Sequence, residues 1–207
     1  MVTTVAAAHL EAFENVSGIA VEKSAIFDGL VSGGIAVLNG DIPTTGILQE
    51  KAAACGAKQV LFGMHGADWQ ATDVRLTGDA TVVCAAHAGT EYLFKLGLPG
   101  RHFAMNAVGV LAVVDALGAD VGQASRDIAK WAPPDGRGTR EVVVLDAAVP
   151  DDTLNLIDDA FNANPTSMTA SLEVLAAASP RDNVGLIIKG RRIAVLGDML
   201  ELGPSEH

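Results

Sequence analysis

Residues 34–62 read GIAVLNGDIPTTGILQEKAAACGAKQVLF, and the order of elements within them decides the fold. Gly34 to Leu38 reads as a strand, Thr45 to Ala54 as a helix and Gln59 to Phe62 as another strand. That alternation predicts a parallel sheet, because a parallel neighbour is reached only by a crossover that carries the chain back. Upstream, Val2-Thr3-Thr4-Val5-Ala6 predicts a buried strand ending at the polar cluster His9 to Glu11. Between them Ile19, Val21, Ile26 and Leu30 fall at helical spacing and Gly33-Gly34 supplies a stop, so residues 17–30 predict an amphipathic helix.

Downstream the pattern changes. From Ala71 to Leu96, closely spaced β-prone runs are broken at Thr77-Gly78-Asp79 and Ala88-Gly89, which predicts an antiparallel meander at the sheet edge. After Pro99-Gly100 come helices at Phe103 to Leu117 and Val121 to Trp131, the second stopped by Pro133-Pro134. The turn-rich segment Pro133 to Gly138 places a domain boundary near residue 138, giving parts 1–138 and 139–207. In the second part Val142 to Leu145 is strand-like. Thr153 to Ile157 reads as strand, Met168 to Ala178 as helix and Arg192 to Leu196 as strand, one right-handed crossover unit. The fold class is therefore α/β.

With 207 residues the chain is long enough for one large domain or two small ones. Apolar residues are 49% and aromatics 4%, so the interior is built from Ala, Val, Leu and Ile. The net charge of −11 comes from 25 acids against 14 bases without a basic stripe, which argues against nucleic acid as a partner. Cys55 and Cys84 lack CxxC spacing and read as reduced, packed thiols in a cytoplasmic protein. Neither a signal peptide nor a membrane span is expected.

Several constellations could carry chemistry. His9 and Glu11, Lys23 on the following helix, and Asn39-Gly40-Asp41 after the next strand could converge on one crevice; the plainer reading is a strand end and a solvated helix face. Asp158 to Pro165 sets carboxylates and amides between a strand and a helix, where they could meet a nucleotide or metal. Asn164 with Pro165 is equally ordinary helix initiation, which leaves Asp159 and Asn162 unexplained. Arg137, between two glycines at the boundary, could offer its planar fork to phosphate or be a plain surface arginine. Gly197 to Gly203 is a glycine-bounded acidic loop after a strand, a weak signal by itself.

Taken in order, Asp159-Ala-Phe-Asn-Ala-Asn-Pro-Thr-Ser-Met168 and Gly190-Arg-Arg-Ile-Ala-Val-Leu-Gly-Asp-Met-Leu-Glu-Leu-Gly203 resemble the Mur ligase family. Looser matches at Ala8 to Glu11, Lys23, Asn39, Pro99 to His102 with Asn106, and Gly136 to Gly138 extend the resemblance over nearly the whole chain. It implies a partial central ATPase domain, with a mostly parallel sheet and an antiparallel edge subdomain, followed by the start of a Rossmann-like C-terminal domain. It also implies an ATP- and Mg²⁺-dependent ligase that phosphorylates the carboxylate of UDP-N-acetylmuramoyl-tripeptide and lets the amine of D-alanyl-D-alanine attack the acyl phosphate. By that resemblance His9 ligates Mg²⁺ and Lys23 is a carbamylated lysine of the metal site. Asn106 lies against adenine, Arg137 and Asp159 meet ribose and phosphates, and Asn162 belongs to the same loop; no role attaches to Asp198 or Glu201.

Two departures qualify the resemblance. No GxxGK[ST] phosphate loop occurs in the 207 residues, so the expectation is a chain truncated at both ends, inactive in isolation and prone to self-association through its truncated sheet. A non-catalytic binding or interaction module that keeps the fold is the alternative. Phe103 stands where relatives often carry an asparagine, and both stacking on adenine and packing into the core are open to it.

Overall fold

The structure, a computed structural model, describes residues 1–7, 13, 15–183 and 188–199. Asn15 caps helix α1 (Val16–Ser24) by accepting from the Gly18 amide, and a 3₁₀ turn continues it over Ala25–Gly29. The expected single helix over 17–30 is thus an α-helix that tightens in its last turn. Then follow β1 (Ile35–Asn39), α2 (Thr45–Ala54) and β2 (Lys58–Gly63), with β1 and β2 parallel and in register from Ile35↔Lys58 to Asn39↔Phe62. The opening segment contributes a single parallel bridge, Val2 to Leu38, instead of the expected strand. The Val2 amide donates to Val37 O and its carbonyl accepts from the Asn39 amide.

Strands β3 (Trp69–Leu76), β4 (Thr81–His87) and β5 (Thr90–Leu96) form the antiparallel meander and complete one five-stranded sheet in the order β1-β2-β3-β4-β5. The meander is continuous with the parallel strands, so the sheet is mixed. β3 pairs parallel with β2 only at Phe62↔Trp69 and Gly63↔Gln70. Because β3 starts where β2 ends and runs onward in the same direction, a short loop replaces the usual crossover. Ala88 and Gly89 close the β4–β5 hairpin with φ of 47° and 79°, the left-handed pair that a two-residue turn demands.

Helix α3 (Arg101–Ala116) covers one face of this sheet, and α1 and α2 cover the other. The strand alternation sorts the layers. Val37, Phe62, Trp69, Val83 and Leu96 pack with Ala104, Val108 and Leu111 of α3, while Ala36 and Leu38 pack with Ile19, Ala20, Leu48 and Ala52. Small residues let α3 approach closely: a Cβ on Gly109 would stand 3.0 Å from the Phe62 ring. Helix α4 (Val121–Asp127) and a 3₁₀ turn at Ile128–Lys130 end just before the double proline.

Beyond it, β6 (Thr139–Asp146) and β7 (Val149–Asp158) pair as an antiparallel hairpin, and α5 (Pro165–Ala177) follows. Asn164 and Ser167 form a reciprocal capping box with Pro165 at the first turn, so the helix starts where its sequence signal stands. The strand expected at Arg192–Leu196 does not form. Residues 191–198 lack regular structure and are exposed, Val195 at 93%. A β-prone run becomes a strand only when a neighbour takes up its hydrogen bonds, and among the described residues none does, so the crossover unit is replaced by hairpin and helix.

Candidate functional site

At the carboxyl ends of β1 and β2 the polar side chains are committed to holding loops together. Asn39, buried, donates from Nδ2 to Thr3 O at 2.7 Å and accepts from the Asp41 amide at 2.9 Å. Asp41 in turn accepts from the amides of Met64 and His65 at 2.5 and 3.2 Å. These bonds tie the opening segment, β1 and β2 at one end of the sheet. Asn39 and Asp41 are therefore structural members of the expected crevice. Lys23 is exposed on α1 and lines, with Met1 to Thr4 and Ile26, a shallow hollow of about 190 Å³ at the same opening segment. His9 and Glu11 lie outside the described residues, as does Glu201. Among the described residues no cluster of three His, Cys, Asp or Glu side chains forms a metal-holding group.

The second cluster forms where the hairpin meets the start of α3. Thr81, fully buried, donates from its hydroxyl to Leu98 O and accepts from the Gly100 amide, both at 2.9 Å, which pins the entry to the helix. Gly100 has φ 155°, and a Cβ there would stand 2.6 Å from the Phe103 ring, so no other residue fits without displacement. His102 and Phe103 follow on the first turn with ring centroids 3.8 Å apart, and Phe103 also meets Trp131 at 5.4 Å. Phe103 is thus half-buried in packing between α3 and the segment before the boundary.

Opposite this turn stands the junction. The Gly138 amide donates to Asp158 O at 2.8 Å and the Phe161 amide to Gly136 O at 3.0 Å, so the glycine-flanked segment is laced to the loop after β7. Arg137 stacks its guanidinium 4.0 Å above the Phe161 ring, the planar use expected of arginine. Asp159 accepts from the Ser171 hydroxyl of α5 and, with Pro99, His102, Phe103, Gly138 and Ile157, lines a small crevice. Asn162 accepts from the Ala163 amide at 2.9 Å within the same loop. Asn106 is exposed one helical turn beyond Phe103. The structure brings Asp159 and Gly138 to the first turn of α3 and sets Arg137, beside Gly138, on the Phe161 ring of the Asn162 loop; Lys23 lines a separate hollow that shares no residue with that crevice.

His102 is the member of this cluster to which sequence attached no role. Burial pushes its imidazole below the usual histidine range, while the carboxylates of Asp159 and Glu173 pull the other way. The charged groups that act on it come from far along the chain, and only Asp159, within the acidic loop, carried a local signal.

The Mur ligase middle domain family matches residues 1–114. The UDP-N-acetylmuramoyl-tripeptide–D-alanyl-D-alanine ligase of Escherichia coli K12 is 32% identical over 98% of this chain and 41% of its own length. The Bacillus subtilis ligase of the same name is 32% identical over 100% of this chain and 40% of its own. Among solved structures, MurF from Acinetobacter baumannii matches with TM-score 0.83 at 26% identity, covering 99% of this chain and 40% of that one. A Thermotoga maritima MurF ligase in complex with ADP shares the fold, with TM-score 0.68 at 23% identity over 86% of this chain. The chain thus spans about 40% of the length of the two bacterial ligases it matches. With the middle-domain match covering more than half of its residues, the chain belongs to the Mur ligase family.

Proposed function

We propose that this chain contributes the second half of a nucleotide site and the metal-site lysine to an ATP-dependent amide ligase of peptidoglycan synthesis, one that joins D-alanyl-D-alanine to UDP-N-acetylmuramoyl-tripeptide. The observation that carries the reading is the seating of Asp159 at the first turn of α3, with Arg137 stacked on Phe161 of the same loop, on a chain that resembles two such ligases over nearly all its residues. The two parts would be 1–138 and 139–207, meeting at the laced glycine segment. The setting is the cytoplasm, and no described helix is long and apolar enough to cross a membrane.

Bound ATP and Mg²⁺ supply the activating phosphoryl group and the charge neutralisation that lets two anions meet. His9 and Lys23 would hold the metal. Lys23 is exposed, so its amine is open to carbamylation, which turns a cation into an anionic ligand. Arg137 would meet phosphate with its fork, already flattened on Phe161, while Asp159 and the Asn162 loop face the ribose and Asn106 the base. Those residues fit a polyanion and sugar hydroxyls by charge and hydrogen-bonding capacity.

The absence of GxxGK[ST] from the 207 residues favours a second reading, a non-catalytic module that keeps the fold, and on either reading the isolated chain does not turn over. A chimera separates the two. Grafted in place of the matching segment of the Escherichia coli ligase, this chain should restore dipeptide-dependent phosphate release that Lys23→Ala and Asp159→Ala abolish. A chimera that melts cooperatively yet releases no phosphate supports the module instead.

A further inference from the structure

Helix α3 opens on a histidine that the proposed reaction does not employ. Nδ1 of His102 is buried without a hydrogen-bond partner among the described residues, an arrangement that protein interiors seldom leave uncompensated. Facing it across the junction are Asp159, from the loop after β7, and Ser171, from α5. The Ser171 hydroxyl donates to Asp159 and so fixes that carboxylate at the crevice. The hollow bounded by Pro99, His102, Asp159 and Ser171 measures about 20 Å³, room for one water. Polar groups that share a hollow of this size without touching are well placed to be joined by such a molecule.

We propose that His102 is a positioning residue, linked to Asp159 through a single buried water, so that the first turn of α3 sets where the Asp159 loop lies. Asp159 and Glu173 are the carboxylates that act on the ring. The cations on the flanking segments are engaged elsewhere: Arg101 donates to Val74 O on β3, Arg137 stacks on Phe161, and Arg140 of β6 donates to Gly78 O. Any consequence for nucleotide binding rests on the proposed ligase reading, whereas the link itself does not.

The test needs no nucleotide, so its failure is separate from failure of that reading. NMR titration of the His102 ring is compared in the full chain, in Asp159→Asn and in Ser171→Ala, none of which alters the packed interior. Removing the Asp159 charge moves the His102 midpoint to lower pH, and Ser171→Ala, which releases the carboxylate, displaces it as well. In thermal melts His102→Leu lowers the midpoint by about 2–4 °C. His102→Gln, which keeps a polar group, recovers part of that loss, and Asp159→Asn in the His102→Leu background costs nothing further. A His102 titration indifferent to Asp159→Asn, or strictly additive losses in the double variant, overturns the proposal.

Discussion

Thr81 shows how one side chain fixes a site that it does not itself line. Its hydroxyl joins the Leu98 carbonyl to the Gly100 amide inside the core, and Thr81→Val would strand both groups. The expected loss is about 1–3 kcal/mol in a urea melt; a valine variant as stable as the parent would show that the loop is held by packing alone. His102 adds a dependence on acidity. The unfolded ring takes up its proton near 6.5 and the buried ring lower, so stability is full above that pH and falls as pH drops below it towards the folded titration. His102→Gln should flatten this acid-side loss in melts taken across the range. Sequence spacing exposed Asn164 as a cap because its partner is three residues away. It could not expose Asp41, whose partners Met64 and His65 lie in the loop after β2, nor the burial of His102.

At the scale of elements, local signals set boundaries well where both ends carry punctuation. Helix α2 runs Thr45–Ala54 as its pattern predicts, and the α4 segment ends before the double proline. Helix α5 depends on its cap: Asn164→Ala removes the side-chain acceptor of the Ser167 amide, leaving only the bond from the residue's own amide to the Ser167 hydroxyl, and should cost about 1 kcal/mol. A lower melting temperature with loss of helical circular dichroism would register it, and an unchanged melt would mean that α5 is held by other contacts. Legibility failed at Arg192–Leu196, where β propensity was real but no described strand supplies a ladder. It also failed at the opening segment, which makes one bridge because only Val2 lies opposite Leu38.

Over the whole molecule the stretches before and after the turn-rich segment at 133–138 differ in how their apolar residues are covered. In the first, sheet and helices bury a core on each face. In the second, Val142, Val144, Leu145, Ile193 and Val195 are all more than half exposed. That surface is expected to drive concentration-dependent self-association, read by sedimentation velocity; a single monomeric species at all concentrations would contradict it. The α/β architecture was legible because the strand-helix rhythm is local. The seating of Asp159 against the first turn of α3 was not, since it depends on how the hairpin folds back on that helix.

The most direct test of the nucleotide-site reading is calorimetric titration of ADP with Mg²⁺ into the full chain, beside Arg137→Ala and Asp159→Ala. Half of a nucleotide site predicts weak, saturable binding that each substitution weakens by about tenfold, the loss of one charge-assisted contact. Absence of heat at millimolar ligand, or binding indifferent to both substitutions, would contradict the assignment of this junction to a nucleotide.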